Sequence, residues 1–178
     1  MSVVVCKIQE GIGYEIASDS ISVRGITQTK GDNTKFAKLF EVNDLVVGGV
    51  GLSKEIALLQ IFSKTHKPYE ASESAILDFI SEFSSWKKDK TGEAGIENQY
   101  LIGFEGSVFY IAGWLVRDVK TYEAIGAGMD YALTALYLGK SCKEAVEVAI
   151  ELSVYCEGPV SLIVKLDGAA GKKKKTGR

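Results

Sequence analysis

The chain is expected to be an α+β protein built as a four-layer αββα sandwich, and three observations lead there. Apolar, β-branched strand candidates come first, then two helical stretches, then strands, two more helical stretches and a last strand. That order suits two packed sheets, each covered on its outer face by a helix pair. Val3-Val4-Val5 and Leu45-Val46-Val47 are apolar at successive positions, as strands covered on both faces must be. Neither a βαβ dinucleotide unit with GxGxxG nor a phosphate-binding P-loop is present.

The elements follow in order. Residues 3–8 and 14–17 read as a hairpin across the turn Gln9-Glu10-Gly11-Ile12-Gly13. A polar stretch over 18–34 contains a short extended piece near 21–26, and residues 36–40 and 45–47 read as strands around the turn Asn43-Asp44. Ser53 is placed to cap a helix carrying Ile56, Leu59 and Phe62 and ending before Pro68. A second helix starts near Ser72, with Ile76, Phe79, Ile80 and Phe83 forming a buried stripe. Residues 87–97, charged and glycine-containing, read as a loop.

Strands return over 100–104 and 108–112, with a short one near 116–119. Residues 130–138 read as a helix stopped by Gly139. Ser141-Cys142-Lys143-Glu144 is a capping box opening a helix whose apolar face is Ala145, Val148, Ala149 and Leu152. Residues 160–166 form the last strand.

Length and composition bound the class. The 178 residues suit one domain, expected over 1–167, followed by a basic tail, 168–178, whose Gly168-Ala169-Ala170-Gly171 and four lysines cannot bury apolar surface. A net charge of −2 gives no general signal for nucleic acid, and four lysines alone are a weak one. No run approaches the ~18 consecutive apolar residues of a membrane span, and Lys7, Gln9 and Glu10 interrupt the N-terminal apolar run too early for a signal peptide. Three cysteines at unrelated spacings define neither a disulfide framework nor a zinc site, and a reducing cytoplasm is the expected compartment. The single histidine, His66, excludes metal sites built on several histidines and reads as a residue near a helix end.

Several short segments then carry a resemblance. They are a hydroxyl residue straight after Met1, Ala17-Ser18-Asp19-Ser20 closing the hairpin, and Thr34-Lys35-Phe36-Ala37-Lys38-Leu39-Phe40. To these add Val47-Gly48-Gly49-Val50-Gly51, Ala124-Ile125-Gly126-Ala127-Gly128 and Glu157-Gly158-Pro159-Val160. In this order and spacing, over nearly the whole chain to about residue 166, the sequence resembles the proteasome β-subunit family of N-terminal-nucleophile (Ntn) hydrolases, most closely the bacterial HslV-type peptidases.

The resemblance implies a hydrolase whose nucleophile is Ser2 after removal of Met1. The chemistry asks for that residue type independently, because a hydroxyl on the first mature residue lies beside a free α-amine that can act as base. By resemblance, Lys35 is the catalytic lysine, Asp19 the aspartate that orients it, and Gly48 the glycine whose N–H meets the oxyanion. The family usually has serine at Ala127, and an aspartate and a hydroxyl residue at Ser153 and Cys156, so the hydrogen-bond shell of the amine is expected to be reduced or rebuilt. The resemblance further implies a homo-oligomeric ring, protein or peptide substrates, an ATP-driven unfoldase as partner and no cofactor. Two alternatives stand beside the peptidase: a non-catalytic ring or scaffold protein, and an Ntn enzyme that acts on a non-peptide amide or transfers its acyl group to an amine.

Overall fold

The computed structural model of the chain describes residues 2–24, 27–29 and 37–166. β1 (Val4–Gln9) and β2 (Gly13–Ser18) form the expected hairpin. After β3 (Ser22–Arg24) and β4 (Thr27–Thr29), which pair with each other, come β5 (Leu39–Val42), β6 (Leu45–Val50), α1 (Ser53–Phe62) and α2 (Glu73–Thr91). β7 (Gln99–Phe104), β8 (Ser107–Ala112), β9 (Leu115–Asp118) and β10 (Tyr122–Ile125) precede α3 (Met129–Tyr137), α4 (Cys142–Leu152) and β11 (Ser161–Leu166).

Two antiparallel sheets face each other, in the orders β10-β1-β2-β11 and β5-β6-β7-β8-β9. Three apolar clusters fill the spaces between four layers. Ile56, Leu59 and Phe62 of α1 and Ile76, Phe79, Ile80 and Phe83 of α2 pack on Val47, Tyr100 and Ile102 of the second sheet. Ala132, Ala135 and Leu136 of α3 and Ala145, Val146 and Ala149 of α4 pack on Val3, Val5 and Ala17 of the first. Val4, Cys6, Tyr14 and Ile16 meet Leu39, Val46, Leu101 and Val108 between the sheets. Alternation along β1 therefore sends Val3 and Val5 to the helices and Val4 to the opposite sheet, which is why all three positions are apolar. The αββα order read from the sequence is the order observed.

Four details differ from expectation. The strand expected over 36–40 begins, among described residues, at Leu39 and runs to Val42. The segment opening at Ala124 is the end of a strand, β10, that edges the first sheet beside β1. The first helix starts one residue earlier than its serine suggests, with Leu52 in the N-cap position and Ser53 the first helical residue. The stretch read as a loop over 87–97 is helical to Thr91, where Gly92 ends α2 in the left-handed conformation. Its charge does not keep it from the helix, because Lys87 points inward, 3% exposed, onto a similarly buried Glu55.

α4 forms as its first residues dictate. Ser141 accepts from the Glu144 N–H, the Glu144 carboxylate accepts from the Ser141 N–H at 2.9 Å, and both halves of the capping box are present. Those bonds and Lys140 hold the Glu144 carboxyl down to about 2. Truncating the cap in Ser141→Ala is expected to cost about 1 kcal/mol of unfolding free energy, measured by urea titration, with no change of fold by circular dichroism.

Candidate active site around Ser2 and Asp19

Ser2 precedes a central strand. β1 is hydrogen-bonded to β10 on one side and β2 on the other, so the N-terminal end of the described chain is carried by one of the most constrained parts of the fold. Ser2 is 4% exposed, and its carbonyl accepts from the Gly128 N–H at 3.2 Å. Gly126 has φ of +96°, and a Cβ there would stand 2.4 Å from the Ser2 carbonyl oxygen. Glycine at this point lets the approach to α3 pass against the terminus. The Gly126-Ala127-Gly128 motif thus has a packing reason, one that involves Ser2 directly.

Asp19 follows β2 and lies beside the same terminus, 1% exposed. Its carboxylate collects four donors. Oδ1 accepts from the Val3 N–H at 3.0 Å and from Lys38 Nζ at 2.8 Å. Oδ2 accepts from the Ile21 and Glu157 N–H groups, each at 3.3 Å. The Asp19 N–H in turn donates to the Val3 carbonyl, and Ser20 donates to Glu157 and Pro159 carbonyls. Three segments that carried the resemblance separately, at the N-terminus, over 17–20 and over 157–160, are therefore tied at one carboxylate.

The lysine that meets Asp19 is Lys38. Lys35, the residue expected in this role, lies outside the described residues. Lys38 stands just before β5, with its side chain 15% exposed. Burial lowers its pKa below the ordinary lysine value, against the opposing pull of the Asp19 carboxylate. Cys156 packs nearby, and its thiol pKa is raised by burial first and by the Asp19 charge second, so it is present as the neutral thiol. The Ser153 hydroxyl accepts from the Tyr155 N–H at 3.2 Å, within its own turn. Ala127 presents only a methyl group.

A cavity of about 170 Å³ opens beside these groups, and Ser2, Ile21, Ser22, Val23, Lys38, Gly51, Ser53 and Ile56 line it. Gly48, expected to supply the oxyanion donor, lies within β6, paired with Leu39 and Leu101; a Cβ on it would meet Val4 across the sheets at 2.4 Å. Gly48 is not among the residues lining the cavity, whereas Gly51 is. His66 lies past the far end of α1, its ring stacked on Phe62 at 4.1 Å between centroids, and does not line the cavity. Among the described residues no cluster of three or more His, Cys, Asp or Glu side chains could hold a metal ion, and no helix is long and apolar enough to cross a membrane.

No protein-family model matches the chain, and no curated protein sequence matches it either. Solved structures do. BPH from Thiobacillus denitrificans in complex with epoxomicin superposes with a TM-score of 0.82 at 20% identity, covering 92% of this chain and 98% of that one. Anbu, the ancestral β-subunit from Yersinia bercovieri, gives 0.69 at 15% identity, over 93% of this chain and 82% of that one. HslV from Trypanosoma brucei gives 0.65 at 17% identity, over 90% and 98%. The chain has the fold of the proteasome-like Ntn hydrolases; at these identities the likeness is one of fold.

Removing the Asp19 carboxylate would strand three backbone N–H groups and a largely buried ammonium. Asp19→Ala is expected to destabilise by about 3–5 kcal/mol in urea unfolding. Lys38→Met in that background is expected to recover part of the loss, giving a coupling energy of about 0.5–3 kcal/mol in a double-mutant cycle.

Proposed function

We propose that the protein is an N-terminal-nucleophile peptidase in which Ser2, freed by removal of Met1, attacks peptide carbonyls. The observation that carries this reading is that Ser2 and Lys38, the lysine paired with the buried Asp19, line one cavity within a proteasome-like fold. Ser2 Oγ adds to the carbonyl carbon as its proton passes to the α-amine. The resulting ammonium gives that proton to the leaving amine as the C–N bond breaks. Water then attacks the ester, the amine accepting its proton, and the acid and free serine are released.

Lys38 takes the part that the resemblance gives to Lys35. A lysine held by a buried carboxylate provides a fixed positive charge that favours the developing alkoxide and keeps the neighbouring amine unprotonated. The oxyanion is met by a backbone N–H of the 48–51 stretch: Gly48 by resemblance, or Gly51 by its position at the cavity. Cytoplasmic ring assembly, protein substrates and an unfoldase partner belong to the same reading and rest on resemblance alone. A non-catalytic ring protein is the competing reading, favoured by the methyl of Ala127 and the local engagement of Ser153.

Intact mass after incubation with a peptide epoxyketone tests the nucleophile, since that reagent needs both the hydroxyl and its free amine. Loss of Met1 and one adduct are expected, with no adduct on Ser2→Ala; retained Met1 and no adduct on the wild type would favour the scaffold. Lys38→Ala is expected to lower kcat/KM by about 10²-fold or more, and Lys35→Ala by much less. The reverse ranking would return the role to Lys35.

The pH profile follows from two groups. Activity should rise as the α-amine, with an ordinary pKa of about 8, loses its proton. It should fall again where Lys38 loses its charge, below the ordinary lysine value because burial lowers it. Lys38→Arg should remove that alkaline limb, because guanidinium keeps its charge throughout.

A further inference from the structure

Behind the cavity lies a second buried polar cluster that the chemistry above does not use. Glu55 in the first turn of α1, Lys87 of α2, Asn98 and Tyr100 are between 0% and 3% exposed. One Glu55 oxygen accepts from the Tyr100 hydroxyl at 2.9 Å and the Asn98 N–H at 3.1 Å. The other accepts from Lys87 Nζ at 2.6 Å and the Glu97 N–H at 3.4 Å. Lys87 also donates to the Gly95 carbonyl. Desolvating such a pair costs several kcal/mol per ion, and apolar residues of similar volume often serve stability as well. What an apolar pair could not do is grip the backbone over 95–98 and hold Asn98 in place.

Asn98 in turn grips the start of α1. Its Oδ1 accepts from the Leu52 N–H at 2.6 Å, and its Nδ2 donates to the Leu52 carbonyl at 2.9 Å. Leu52 is the N-cap residue of that helix and makes no side-chain cap bond, so the geometry of the first turn is fixed from outside the helix. Ser53, released from capping, lines the cavity. Gly51 runs at φ +124° directly under Asn98, and a Cβ there would lie 2.2 Å from Asn98 Oδ1. Gly51, Ser53 and Ile56, three of the eight cavity-lining residues, therefore sit within four residues of the one backbone unit that Asn98 clamps.

We propose that Asn98, held by the Glu55–Lys87 pair, is a positioning residue for the substrate cavity, setting where Gly51, Ser53 and Ile56 meet the bound peptide. It acts through Leu52, whose N–H and carbonyl its side-chain amide holds. The inference rests on the peptidase reading, and its test separates the two. Steady-state peptide cleavage, epoxyketone labelling of Ser2 and thermal midpoints are measured on wild type, Asn98→Ala, Asn98→Asp, Lys87→Met and, as a surface control, Lys54→Ala. Lys54 pairs with Glu93 on the exposed side of the same helix turn. Asn98→Ala is expected to raise KM about tenfold with kcat changed by no more than about threefold. Asn98→Asp, whose carboxylate still accepts from the Leu52 N–H, is expected between the two and carries the test should the alanine variant not fold. Lys87→Met should move KM in the same direction, and Lys54→Ala should move nothing. Unchanged kinetics in folded Asn98 variants that merely melt earlier would overturn the positioning role and leave the peptidase standing. A wild type that neither cleaves nor labels would remove both.

Discussion

The carboxylate of Asp19 is the point on which the site's geometry depends. Burying a carboxylate is favourable only if nearly all its lone pairs are used, and here four donors use them. Each donor belongs to a different stretch of chain: the terminus, the exit from β2, the approach to β5 and the approach to β11. Bound to one anion, they acquire a common frame, and the alternation along β1 then orients Val3 and Val4 into opposite layers. The positive charge of Lys38 is held in the same frame, so electrostatics and backbone position are set together rather than separately.

Local signals in the sequence proved readable and distant pairings did not. The capping box at Ser141 and Glu144 spans three residues, and its chemistry works in any context that permits a helix. The stripe Ile76, Phe79, Ile80 and Phe83 has only one periodicity that buries all four. The layer order followed from such elements taken together. The inward turn of Lys87 is not legible locally, because its partner Glu55 lies 32 positions earlier and a charged stretch carries no mark that one of its members turns inward. The position of Ser53 is illegible for a related reason: a serine at a helix start is usually the cap, and here Asn98, 46 positions from Leu52, takes that work away.

The candidate site shows the same division. Asp19 and the glycine-rich turn at Gly126 stand out in the sequence because their surroundings restrict them: a tight exit from a hairpin, and a close approach to the Ser2 carbonyl. The lysine is harder. Lys35 and Lys38 share one short segment, and nothing in their types distinguishes them. Lys38 is the one among the described residues: on the approach to β5 its ammonium pairs with Asp19 at 2.8 Å, and its carbonyl accepts from the Gly49 N–H at 2.9 Å. A residue joined to Asp19 through its side chain and to β6 through its backbone is fixed at both ends.

All three cysteines are free and buried, and burial raises the pKa of each. A thiol so held is a poor nucleophile toward maleimides and iodoacetamide, which react with the thiolate. The native chain is therefore a quiet background for site-directed labelling. A single cysteine introduced on the surface would be the one position to take a fluorophore or spin label, without first replacing Cys6, Cys142 or Cys156 and disturbing the layers they fill.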